Sequence, residues 1–92
     1  MEVTLFFVTE CPDTAPFVAG LKDLGLDYEA VEITANLANF KRFIRLRDSH
    51  VAFDRAKANG YVGMPALQVG EHIFLELAEV KDFLAHSQEH QE

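Results

Sequence analysis

Cysteine is the scarcest reactive group in this 92-residue chain, where Cys11 stands alone. A single cysteine excludes a disulfide within the chain, and with it the disulfide-stapled secreted mini-domain. Long apolar runs are missing too. None approaches the roughly 18 residues that a membrane-spanning helix needs, and no basic start followed by an apolar stretch reads as a leader. A soluble, cytoplasmic protein is the expectation. Cations are also few, eight Lys and Arg against fifteen Asp and Glu, which leaves a net charge of −7. That balance argues against nucleic acid or an anionic membrane as a partner. No glycine-rich phosphate loop, Ser-His-Asp set or paired-carboxylate arrangement is present. The histidines, His50, His72, His86 and His90, share no ligand spacing with Cys11, so no metal is expected, although His86 and His90 are four apart and could hold a stray ion.

What is there suffices for one core. Apolar residues make up 49% of the chain and include eight phenylalanines. A chain of this length forms one domain, which buries somewhat over ~60% of its unfolded surface. We therefore read residues 1–92 as a single domain with a frayed tail from 87. Val3-Thr4-Leu5-Phe6-Phe7-Val8 is almost continuously apolar, as in a strand covered on both faces. Phe17, Val18, Leu21 and Leu24 recur at helical spacing and predict a helix from Pro12 to Leu24, stopped by Gly25. Tyr28 to Ile33 reads as a second strand. Leu37, Phe40, Phe43, Ile44 and Val51 form an apolar stripe that predicts a helix over 37–48, with a shorter helical piece over 52–58 ended by Asn59-Gly60. Ala66–Val69 and His72–Leu75 flank Gly70-Glu71, which fits a type II′ hairpin. Leu77, Val80, Phe83 and Leu84 mark a closing helix that ends near His86. The order βαβ, helix, hairpin, helix makes an α/β fold with a four-stranded mixed sheet and helices on both faces.

Cys11 lies between the first strand and Pro12. The residue before a proline is kept out of the helical region, and proline is favoured as the first helical residue, so Cys11 is expected at the helix N-cap. A thiol there gains thiolate character from the helix dipole and nearby N–H groups. Glu10 and Asp13 oppose this as like charges, Asp13 also complementing the dipole, and the Thr14 hydroxyl could donate to the thiolate. Six of the eight cations, Lys41, Arg42, Arg45, Arg47, Arg55 and Lys57, fall within 41–57. They form either a solvated helix face or a local anion site.

Cys11-Pro12-Asp13-Thr14 and Gly63-Met64-Pro65, taken together, resemble the two active-site loops of the thioredoxin superfamily in its glutaredoxin branch. There a Cys-Pro-x-Cys segment follows the first strand, and a cis proline precedes the hairpin. The resemblance covers essentially the whole chain and implies a thioredoxin fold, βαβαββα. It makes Cys11 the nucleophile, with Pro12 and Thr14 in the catalytic loop and Asp13, Met64 and Pro65 binding substrate. Cis Pro65 would expose the Met64 backbone to an extended peptide. Thr14 stands where a resolving cysteine would be, so only a monothiol route remains, with glutathione as co-substrate. The branch's lysine before the cysteine and its Gly-Gly segment at the last helix have no counterpart here. The implied partners are glutathione and glutathionylated or disulfide-bearing proteins, and the implied state a monomer or weak dimer. Two other functions stay open: a non-catalytic interaction module, and a carrier of a [2Fe–2S] cluster shared by two Cys11 residues and two glutathiones.

Overall fold

The computed structural model describes residues 2–90, with side chains through His86. Strands β1 (Val3–Phe7), β2 (Glu29–Glu32), β3 (Ala66–Val69) and β4 (His72–Phe74) form one mixed sheet in the order β2-β1-β3-β4. β1 and β2 run parallel, joined by helix α1 (Thr14–Asp23); β3 is antiparallel to both β1 and β4. Helix α2 (Leu37–Ser49), a 3-10 turn (Val51–Phe53), α3 (Asp54–Ala58) and α4 (Leu77–His90) complete the chain. The expected α/β architecture is observed. No helix among the described residues is long and apolar enough to cross a membrane.

β1 is central and covered on both faces, which is why its residues are apolar almost without interruption. Leu5 packs with Phe17, Leu21, Leu67, Val69 and Val80 beneath α1 and α4. Phe6 points the other way, into Val31, Ile33, Phe43, Phe53 and Ile73 beneath α2 and the 3-10 turn. Phe43 lies at the centre of that second layer. Its ring meets Phe6 at 5.7 Å and stands edge-on to Phe53 at 5.7 Å. Full burial of one such side chain is worth about 1.5–3 kcal/mol, so these rings carry much of the layer's stability. In the hairpin, Gly70 takes φ of 60° while Glu71 stays negative, as the expected II′ turn requires and a I′ turn does not.

Two helix boundaries and one helix face differ from expectation. α1 starts at Thr14 rather than Pro12, because Thr14 N–H closes a turn onto the Cys11 carbonyl and the first helical bond runs from Phe17 N–H to Asp13. Asp13, not Cys11, is therefore the N-cap. α4 continues through His90, since nothing after His86 breaks a helix; the expected tail from 87 is helical to that point, and residues 91–92 lie outside the described residues. The stripe expected on α2 is also rotated. Leu37, Phe40 and Val51 are exposed, and only Phe43 is fully buried, flanked by Ile44 and Leu46. Asn39 takes the inward place one turn before Phe43 and donates to the Glu32 carbonyl at the end of β2 (3.0 Å). A backbone acceptor needing a donor outweighs apolar periodicity there.

Candidate functional site

Two loops meet at the carboxyl end of β1. The first runs from Val8 to Asp13 and is tied at a single carbonyl. Val8 C=O accepts both the Cys11 N–H (3.0 Å) and the Thr14 hydroxyl (2.8 Å). The Cys11 carbonyl accepts the Thr14 N–H at 3.1 Å, with Pro12 and Asp13 in the turn between. Pro12 suits that turn because its fixed φ matches the first central position. Cys11 is half-buried, with Glu10, Pro12 and Asp13 around it exposed. Buried Thr14 was expected to donate to the sulfur. Its one hydroxyl proton goes to Val8 instead, so Thr14 braces the loop and orients Cys11 rather than bonding the thiolate.

The second loop, Tyr61 to Pro65, leads into β3. The Met64-Pro65 peptide is cis, as the resemblance implied, and Pro65 is buried. Among the described residues no hydrogen bond engages the Met64 N–H or C=O. Gly63 adopts φ of 90°, and a Cβ at that position would come within 2.8 Å of the Phe53 ring. Glycine is therefore required twice over, by backbone sign and by the aromatic layer beneath it. Arg47, reaching across from α2, donates to the Val62 carbonyl through Nε (2.8 Å) and to the Tyr61 carbonyl through a terminal nitrogen (2.7 Å). One planar guanidinium thus fixes two successive peptide groups.

Cys11, Asp13, Met64 and Pro65 line one open cleft of about 1330 Å³, whose other walls include Phe17 and Leu75. Of the expected site residues, Pro12 in the loop and Thr14 at the start of α1 do not line the cleft. The cationic segment does not assemble into a single anion site. Arg42 forms a two-pronged pair with Glu29 (3.1 and 3.2 Å) and sits 5.5 Å over the Phe6 ring. Arg47 holds the second loop, Lys57 pairs with Asp54 at 3.6 Å, and Arg45 borders a separate hollow near Ser49 and Gln68. Arg55 alone of the six lines the Cys11 cleft, together with Glu10, Asp13 and Glu76. In the sequence Gly63 stood in the Met-Pro motif without a role of its own, Arg47 and Arg55 stood only as members of the 41–57 cluster, and Glu76 was not singled out. For Gly63 a signal existed, a glycine just before the Met-Pro step; the other three depend on where α2, α3 and α4 start and point. Among the described residues no group of three or more His, Cys, Asp or Glu gathers as a metal site, and the His90 side chain lies outside them.

No protein-family model matches the chain, and no solved structure matches it. A Haemophilus influenzae protein described as uncharacterized is 55% identical over 78 residues, which span 84% of this chain and 91% of that protein. The chain belongs to the same family as that protein.

Proposed function

We propose that this protein is a cytoplasmic, monothiol glutaredoxin-like thiol–disulfide oxidoreductase with a thioredoxin fold. The observation that carries this reading is that half-buried Cys11 and Met64, whose backbone is unpaired among the described residues, line one cleft. An extended peptide laid along that cleft would pair its own backbone with Met64 and bring a disulfide to Cys11. The Cys11 thiolate attacks the glutathione sulfur of a glutathionylated protein. The old S–S bond breaks, a Cys11–glutathione disulfide forms, and the protein thiolate leaves and takes a proton from water. A second glutathione thiolate then attacks the Cys11–glutathione bond, releasing oxidised glutathione and restoring the Cys11 thiolate. Glutathione thus supplies both electrons. No second cysteine intervenes, because Thr14 occupies the place of a resolving thiol and spends its hydroxyl on Val8. Arg55 is the cation for the glycyl carboxylate of glutathione, being the only one of the 41–57 set on the cleft.

Incubation of the reduced protein with oxidised glutathione tests the first half-reaction by intact mass. One glutathione adduct should form on the wild type and none on Cys11→Ser. In a glutathione-coupled disulfide-reduction assay, Cys11→Ser should lose essentially all turnover. A wild-type protein that takes up no glutathione would remove the reading.

A further inference from the structure

We propose that the cleft selects disulfides carried on basic peptide segments, in which cysteine is flanked by lysine or arginine. This rests on the thiol–disulfide reading above and names its substrate class. Three carboxylates, Glu10, Asp13 and Glu76, line the cleft against the one guanidinium of Arg55. All three are exposed, and among the described residues none of their side chains enters a hydrogen bond or ion pair, so each is available to an incoming cation. Two of them bracket the nucleophile, one residue before and two after Cys11. Charges on either side of a substrate cysteine held at Cys11 would meet these carboxylates on the same cleft. The far rim adds apolar surface. Tyr61 and Val62 are 67% and 54% exposed on the Arg47-held loop, a bed for the aliphatic stems of lysine and arginine and, at Tyr61, a ring face for their charge. The molecule's net charge of −7 acts in the same direction at longer range. Glutathione, an anion overall, meets this cleft with only Arg55 in its favour. The charges thus favour, among disulfide-bearing proteins, those whose cysteine lies in a basic segment, whether its disulfide is to glutathione or to another peptide.

In the step itself, the Cys11 thiolate attacks one sulfur of the peptide's disulfide. That bond breaks, the Cys11–peptide disulfide forms, and the departing peptide thiolate is protonated by water. Three five-residue peptides test the selection, each a symmetric disulfide with cysteine flanked by two lysines, two serines or two glutamates. Adduct formation on the full-length protein is followed by intact mass, and each rate is divided by that of a free small thiol with the same peptide. The lysine peptide should exceed the glutamate peptide by about tenfold at low ionic strength, falling toward parity near ~0.5 M salt as exposed charges are screened. The double variant Glu10→Gln/Glu76→Gln should reduce the lysine-to-serine ratio severalfold. That ratio within one variant is independent of how much of its Cys11 is thiolate. Equal rates for the three peptides, a preference for glutamate, or a preference indifferent to salt would overturn the proposal while leaving the thiol chemistry standing. If the double variant does not fold, the salt dependence of the wild type decides. No adduct with any peptide would remove the thiol–disulfide reading and the substrate class together.

Discussion

One added carbon at Gly63 would meet two objections at once. The residue sits at φ of 90°, which L side chains rarely adopt, and its Cβ would press on Phe53, itself fully buried. Neither the backbone sign nor the aromatic wall yields cheaply. Gly63→Ala should therefore cost about 1–3 kcal/mol, read as a lowered urea midpoint, and should slow adduct formation at Cys11 because the Met64 backbone is displaced. An unchanged midpoint would mean that the loop moves freely off the Phe53 ring. Thr14 shows the same scale of control from the other loop. Its hydroxyl sits one turn from Cys11 in sequence, yet it bonds the Val8 carbonyl and holds the thiol's backbone in place. Residue identity announced a polar group near the sulfur. Only the geometry decided which atom that group would serve.

Between elements, the loop that leads into the hairpin depends on α2. Arg47 lies in the last turn of α2, and its guanidinium grips the Tyr61 and Val62 carbonyls. Arg47→Gln removes that fork while keeping helix propensity. At an exposed site, losing it should cost about 1 kcal/mol of local order, so exchange of the Tyr61 amide, which donates to the Ala56 carbonyl, should quicken roughly fivefold. Exchange in β1 and β3 should stay unchanged, and an equal rise there would mean global rather than loop destabilisation. Element existence was legible in the sequence almost throughout, because apolar runs, Gly70 and the Asn59-Gly60 stop mark units that form locally. Boundaries were less so. The start of α1 depends on a turn that Pro12 permits as readily as it permits a helix, and the inward face of α2 depends on a β2 carbonyl that Asn39 satisfies. Both are decided by bonds to partners the local pattern does not contain.

Over the whole molecule, acid should weaken the pair that joins α2 to the sheet's edge. Arg42 holds the Glu29 carboxyl below its usual 4.5, foremost by hydrogen bonding and then by charge, and Thr34 does the same for Glu32 by hydrogen bonds. A folded value lower than the unfolded one means that the unfolded chain binds the proton more readily. The stability each group contributes is complete above the unfolded value and is lost as pH falls through the folded one. Glu29→Gln should thus sit below wild type in urea midpoint near neutral pH, with the gap closing below about pH 4. The gap should be small and should shrink with salt, since both partners are exposed. A gap unchanged across that range would mean the pair contributes nothing through its charge.

Composition and pattern alone determined an α/β fold, a single thiol at Cys11 between the first strand and the first helix, and a Met-Pro step before the hairpin. These follow from apolar periodicity, a unique thiol and proline placement, all of which act within a few residues. Tertiary structure decided what faces that thiol. It sent five of the six clustered cations elsewhere and brought Arg55 into the cleft, added Glu76 from the approach to α4, and put Gly63 against Phe53. Such neighbours are far apart along the chain and meet only because a covered sheet fixes where each loop emerges, so no local pattern carries their signature.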